Sequence, residues 1–188
     1  LAEHDNGVLT ATTARLVNAV ASLGPVHLLV AGERAGEAAT AVALLGVEQV
    51  FVTDAAPDAL VVVVETLVPS YTHIVAAAAT AGRDLIPRLA ARLDLMPVTD
   101  VVAIHGPDRF ERPIYAGNAI ETIVSNQPRQ LLTIRASAFR PAVAGPAAPV
   151  ETLASATTGL SRVLSRRRTE SDRPELATAQ VVVSGGIA

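Results

Sequence analysis

Four histidines, His4, His27, His73 and His105, are the residues from which a metal site or an imidazole base would have to be built. No two of them stand four apart and no HExxH pattern occurs, so the spacing does not put two ligands on one helix face. No serine occupies a GxSxG elbow, and the acids Glu3 and Asp5 have no partner base that their spacing identifies. The chain has no cysteine, which removes thiolate ligands, disulfides and cysteine nucleophiles. All 15 of its basic residues are arginine. A Walker-type phosphate loop, a Schiff base and a lysine general base are therefore excluded. The sequence contains no catalytic constellation.

Two glycine-bearing turns could receive an anion on backbone N–H groups. Ala31-Gly32-Glu33-Arg34-Ala35-Gly36 joins an apolar run to a helical segment, but it lacks the GxGxxG spacing and Glu33 would repel a phosphate. Ala81-Gly82-Arg83-Asp84 opens a helix, with Arg83 as a possible anion partner, and a plain helix start explains it as well. Tyr115-Ala116-Gly117-Asn118 reads as a turn, with the Tyr115 ring packed on a sheet. The Arg166-Arg167-Arg168 run, followed by Glu170 and Asp172, reads as a solvated helix end.

The elements that position these residues follow a βα rhythm. Apolar runs Val26 to Val30, Gln49 to Thr53, His73 to Ala77 and Asp100 to Ile104 are nearly continuous rather than alternating, as parallel strands covered on both faces are. The gaps carry helical patterns over Thr10 to Leu23, Glu37 to Leu45, Asp58 to Val68 and Asp84 to Leu93. Thr12 and Thr13 are candidate caps for the first, Gly24 and Gly46 are stops, Asp84 and Arg88 form a pair four apart, and Pro87 is expected in a first turn. Only Leu1, Ala2 and Glu3 precede the first helix, so the first strand reads as clipped. Leu1 is not an initiator methionine, and the amino end reads as processed or trimmed.

Beyond residue 104 the rhythm changes. Arg109 to Ala116, Ala119 to Ser125 and Leu131 to Ser137 are strand-like, with gaps too short for helical crossovers, which predicts an antiparallel meander. Pro141, Gly145, Pro146 and Pro149 mark a linker, followed by a short helix from about Val150 to Arg168 and a last strand, Val181 to Val183, running into Gly185-Gly186. Such a strand normally opens a further α/β domain. Its open edge is expected either to stay free or to add to another sheet. The expected fold is α/β, a three-layer sandwich with a mostly parallel, Rossmann-like or adenine-nucleotide-hydrolase-like sheet and an antiparallel β annex.

A net charge of -3 with two tyrosines, three phenylalanines and no tryptophan argues against nucleic acid. The longest apolar stretches fall well short of the ~20 residues of a membrane span. A cytoplasmic or equally reducing compartment is the expected location.

The segments LAEH at 1–4, YTHI at 71–74, AGRDLIPRLAARL at 81–93, VTDVVAI at 98–104, PIYAGNAIET at 113–122, LLTIRASAF at 131–139 and SDRPELATAQVVVSGG at 171–186 resemble, in order, the alpha subunit of electron transfer flavoprotein. The resemblance implies an amino-terminal α/β domain over 1–139, a linker with a short helix over 140–176, and the stub of an FAD-binding domain over 177–188. It implies a heterodimer with a beta subunit, which carries a buried AMP while the alpha domain holds no nucleotide. FAD belongs to the complete protein and is not expected in these residues alone; Gly185 and Gly186 are the positions carried over as cofactor-binding. The family usually continues SGG with an arginine that contacts the flavin, where this chain has Ile187 and Ala188. Isoleucine cannot donate that hydrogen bond. The implied role is electron carriage from flavin dehydrogenases, such as acyl-CoA dehydrogenases of fatty acid oxidation, through a quinone oxidoreductase towards the respiratory chain. That is the work of a carrier subunit and not of an enzyme. The alternatives are a free-standing adenine-nucleotide-binding or regulatory domain and a purely structural interaction module.

Overall fold

The computed structural model describes residues 1–156, 164, 165, 176 and 179–186. The chain divides into two compact units, Leu1–Thr158 and Gly159–Ala188. The Arg166-Arg167-Arg168 run, Ser171 to Glu175, Ile187 and Ala188 lie outside the described residues.

The first unit opens with a tight hairpin, β1 (His4–Asp5) and β2 (Val8–Leu9), paired antiparallel. Helix α1 (Ala11–Val20) buries Thr13, Leu16, Val17 and Ala19, tightens into a 3-10 turn over Ala21–Leu23, and stops at Gly24, whose φ of 131° suits glycine alone. Thr10 is the N-cap residue and makes no side-chain cap bond. The expected capping by Thr12 and Thr13 is thus not made: Thr13 lies on the buried face, where its hydroxyl binds the Glu3 backbone instead.

Strand β3 (Val26–Ala31) leads into the short helix α2 (Ala35–Thr40) and then β4 (Val47–Thr53). α2 begins and ends earlier than its periodicity predicts. The backbone beyond it is drawn away by pairing with a later segment, Leu45 N–H to Val143 O at 3.0 Å and Gly145 N–H to Ala43 O at 2.9 Å. Leu45 is exposed in consequence.

Helix α3 (Pro57–Leu67) has proline in its first turn, where no N–H is needed. Its valine run stays helical despite strand propensity because Leu60, Val61, Val63 and Val64 are all buried. Strand β5 (His73–Ala77) precedes helix α4 (Thr80–Leu93), which starts a turn before the predicted Asp84. Pro87 is therefore interior. A proline there leaves the Arg83 carbonyl without its helical donor and crowds it, at a cost of about 3 kcal/mol. Burial of Leu85, Ile86, Leu89 and Ala90 along the same helix offsets this.

Strands β6 (Val98–Val101), β7 (Ala103–Ile104), β8 (Arg109–Ile114), β9 (Ala119–Val124) and β10 (Gln130–Ile134) follow. β7, β8 and β9 form the antiparallel annex in that order. β10 corrects the expected meander: it lies parallel between β5 and β6, so the annex is the crossover that joins β6 to β10. Every residue of β10 is buried, as a strand covered on both faces requires.

The proline-rich stretch is laid along the domain, with Ala142 N–H bonded to Ala14 O at 2.8 Å. It ends in β11 (Val150–Thr152), parallel to β4. These residues were expected to open a helix; β4 had a free edge, and pairing there satisfies three residues of backbone at once.

Two parallel three-stranded sheets result, β11-β4-β3 and β5-β10-β6. They are bridged by the first residues of the chain: the Leu1 amino group donates to Val75 O at 2.5 Å and Ala2 N–H to Leu29 O at 2.9 Å. One face packs Leu28 and Val30 with Val17, Ala38 and Val42 of α1 and the α2 region. The other packs Leu29 and Leu131 with Leu60, Val64, Leu85, Ile86 and Leu89 of α3 and α4. This is the three-layer α/β sandwich with its annex.

In the second unit, residues 181–186 carry no regular structure and Val181, Val182 and Val183 are exposed. The strand expected at Val181–Val183 is not formed.

Candidate functional site

In an open parallel sheet the chemistry belongs at the carboxyl ends of the strands. Here that edge carries Glu3, His4 and Asp5, the turn after β3, and the start of α4. The turn places Arg34 at φ 59°, directly before α2. Its guanidinium is held on three sides: Nε to Glu37 Oε1 at 2.8 Å, NH2 to Glu37 Oε2 at 2.6 Å, and NH1 to Asn6 Oδ1 at 2.8 Å. The Arg34 hydrogen bonds keep the Glu37 carboxyl below its usual range. A Cβ on Gly7 would stand 2.9 Å from Glu37 Oε2, so the β1–β2 turn is pressed against the same carboxylate. Arg34, the cation that a phosphate at this turn would meet, is thus engaged by the protein's own carboxylate and by Asn6. Asn6 and Glu37 were not singled out from sequence; the signal was an acid three residues after Arg34, the spacing of a helical ion pair.

The second turn is closed in a different way. A Cβ on Gly82 would stand 2.0 Å from the Ala77 carbonyl oxygen. The start of α4 therefore rests directly on the end of β5, and Gly82 serves that close approach.

His4 Nε2 lies 3.0 Å from Ala31 O, and its Nδ1 is buried without a hydrogen-bond partner among the described residues. Glu3 is half-buried, and burial pushes its carboxyl above the usual range, opposed by the Leu1 ammonium and a Thr12 hydrogen bond. Its backbone is gripped by Thr13, whose hydroxyl accepts from Glu3 N–H at 2.8 Å and donates to Glu3 O at 2.9 Å. Thr13 is fully buried, and a threonine at helical spacing from Leu16 and Val17 was the overlooked sign.

The other histidines are scattered. His27 Nδ1 is 2.7 Å from the Tyr71 hydroxyl, whose titration is pushed up by burial and then by Glu151. His73 contacts Thr72 Oγ1 at 2.8 Å and Pro107 O at 2.7 Å, and His105 pairs with Glu111 at 2.9 Å. Among the described residues no three His, Asp or Glu side chains converge as a metal site would require.

On the annex, Tyr115, Ala116 and Gly117 all have positive φ, and Asn118 Nδ2 donates to Tyr115 O at 2.9 Å. The Tyr115 ring was expected on the sheet. It is 79% exposed, because the left-handed turn at the end of β8 carries it outward.

Two cavities of about 120 and 70 Å3 flank Leu1 on opposite faces of the sheet. Cofactor pockets are typically ~300–1,000 Å3. Neither cavity reaches that size. A Cβ at Gly185 or Gly186 would meet nothing within 4 Å. No helix among the described residues is long and apolar enough to cross a membrane.

Residues 1–158 match the electron transfer flavoprotein domain family. The chain is 45% identical to the electron transfer flavoprotein subunit alpha of Paracoccus denitrificans and 44% to that of Bradyrhizobium diazoefficiens. It is 39% identical to the probable mitochondrial alpha subunit of Caenorhabditis elegans. These alignments cover 99% of this chain and 63%, 62% and 60% of the respective relatives. The chain thus spans a little over three-fifths of the length of the curated relatives it matches. With that match lying over the whole α/β sandwich, the chain belongs to the electron transfer flavoprotein family.

Proposed function

We propose that this chain is the amino-terminal, scaffold part of an electron transfer flavoprotein alpha subunit. It pairs with a beta subunit and carries electrons from flavin dehydrogenases, such as acyl-CoA dehydrogenases, through a quinone oxidoreductase towards the respiratory chain. The observation that carries this reading is the alignment of alpha subunits over 99% of the chain. The carboxyl-edge turn supports it, since Glu37 and Asn6 already engage Arg34, the cation that a nucleotide phosphate would meet there. The second reading, a free-standing adenine-nucleotide-binding or regulatory domain, is disfavoured by the same contacts.

FAD, which accepts and returns electrons singly or in pairs, is held in this reading by a further α/β domain that begins with the segment before Gly185 and Gly186. Those two glycines would approach it through backbone. The present residues contribute a rigid platform and a docking surface, which is what a carrier needs from protein outside its cofactor site. The role is that of a carrier subunit in a cytoplasmic or equivalent reducing compartment.

Co-expression with a beta-type subunit tests the reading. The expected result is a stable complex and, for this chain alone, no visible flavin absorbance and no heat of binding with AMP or ATP. Tightly bound flavin in the isolated 188 residues, or micromolar AMP binding, would overturn it.

A further inference from the structure

Asn6-Gly7 is the one asparagine–glycine step in the sequence, and it forms the whole loop of the β1–β2 hairpin. Its residues have φ of 50° and 84°, both left-handed, as a type I′ turn demands. Asp5 faces Val8 across the turn, and the next-but-one pair is joined by Thr10 N–H to Glu3 O. In that alternation Asp5 and Val8 exchange the ladder bonds that close the loop, and the Gly7 N–H stands outside the ladder. Asn6 is exposed and so open to water.

A carboxamide followed by glycine is prone to one reaction. The Gly7 nitrogen gives up its proton to water and attacks Asn6 Cγ; a C–N bond forms, ammonia leaves, and a five-membered imide remains. Water then opens the imide at either carbonyl and leaves aspartate or isoaspartate at position 6, so the balance is one water in and one ammonia out. Glycine favours the attack because no Cβ shields its nitrogen. The type I′ torsions oppose it. They hold the Gly7 nitrogen on the far side of the Asn6 Cα–C bond from the side chain, so the turn must open before the ring can close.

We propose that Asn6 is a self-modification site latched by Arg34. Arg34 NH1 donates to Asn6 Oδ1 at 2.8 Å while Nε and NH2 are fixed to Glu37 at 2.8 and 2.6 Å, so the side chain that must swing is tied to α2. Gly7 is pressed on the same helix: a Cβ there would stand 2.9 Å from Glu37 Oε2 and 3.2 Å from Glu37 Cβ. The two strands have two residues each, too few to hold the turn shut by their own pairing. Opening is therefore a local event and not an unfolding of the unit. Either product puts a second carboxylate beside the Arg34 guanidinium where a neutral amide stood. Isoaspartate also lengthens the main chain by a methylene, which a two-residue loop cannot absorb in register.

The test incubates three samples in mildly alkaline buffer: the folded chain, the chain unfolded in guanidinium chloride, and folded Arg34→Met, which keeps the side-chain length and loses the donors. Peptide masses are followed at each asparagine. In the folded chain the mass gain that marks replacement of NH2 by OH is expected at Asn6 and not at Asn18, Asn118 or Asn126, with isoaspartate confirmed by enzymatic methylation. Its rate is expected to be tenfold or more below that of the unfolded chain, and about fivefold higher in Arg34→Met, the worth of one exposed charge-assisted bond. Amide exchange separates the latch from general loosening: Val8, which closes the turn, should exchange faster in Arg34→Met, and Val30 in β3 should not change. An Asn6 that stays intact in the folded chain for a hundred times the period needed when unfolded, a folded rate equal to the unfolded one, an Arg34→Met chain that reacts no faster, or one in which Val30 loosens as well, would overturn the proposal.

Discussion

Replacement of Thr13 by valine removes a hydroxyl while keeping the shape of the side chain, at a site with no solvent access. In the native arrangement the hydroxyl accepts from Glu3 N–H at 2.8 Å and donates to Glu3 O at 2.9 Å. The carbonyl would keep two other donors, Thr10 N–H at 3.0 Å and Thr10 Oγ1 at 3.2 Å. The Glu3 N–H would lose its acceptor, and an orphaned buried amide costs about 1–3 kcal/mol. We therefore expect Thr13→Val to destabilise the first unit by about 2 kcal/mol. In a domain of this size that lowers Tm by roughly 4–8 °C. Thr13→Ser keeps both bonds and loses one methyl, for about 1 kcal/mol. The assay is thermal and urea unfolding of the three proteins, with amide exchange at Glu3 as the local readout. Should the valine protein prove as stable as the wild type, or more stable than the serine one, the claim that Thr13 anchors the entry of the chain into the sheet is wrong.

The buried Leu1 amino group, pushed down to about 6 from its ordinary 8.0, makes folding depend on pH. Between those values the unfolded chain binds the extra proton, so stability rises with pH, by about 3 kcal/mol across the window; acetylating the amino group should flatten this slope in denaturant titrations, isolating it from the nearby histidines. Gly82→Ala puts a Cβ 2.0 Å from Ala77 O, and should cost several kcal/mol, more than ordinary overpacking at ~1–3 kcal/mol. Gly36→Ala meets open space within α2 and should be neutral or stabilising by up to about 1 kcal/mol, both read by urea midpoints. Glu37→Ala breaks an exposed pair and should change stability by under ~1 kcal/mol, yet free Arg34 to bind inorganic phosphate weakly by calorimetry; no gain in binding would show that the carboxylate is not what closes that turn. In a chain extended through the following domain, Ile187→Arg should retain flavin about tenfold more tightly on dilution, the worth of one charge-assisted hydrogen bond; unchanged retention would remove the arginine from the proposed cofactor contacts.

Much of the scaffold is legible in the sequence. The runs at 26, 49 and 73 are strands, and the helices at 11–20, 57–67 and 80–93 fall on the periodic segments between them. Gly24 ends α1, and Asp84 and Arg88 pair at 3.0 Å. Three elements depart from that reading. β10 was assigned to a meander from loop length, although its unbroken Leu131-Leu132-Thr133-Ile134 run already carried the sign of a strand covered on both faces. Val150–Thr152 has no local feature that selects a strand over the first turn of a helix; the free edge of β4 does. The truncation of α2 and the exposure of Leu45 follow from the bridge between Leu44 and Ala144, a hundred residues apart in the chain.

Sequence by itself determined the class of fold, the helix and strand periods, the exclusion of cysteine and lysine chemistry, and the family, because local patterning and residue type decide those without reference to distant contacts. Only the tertiary structure decided which strand lies beside which, that Glu37 and Asn6 hold Arg34, that Gly82 rests on Ala77, and that two residues at the amino end bridge two half-sheets. Each depends on groups tens of residues apart arriving at hydrogen-bond distance. The register of those approaches is set by packing of the whole core, and no window of sequence contains it.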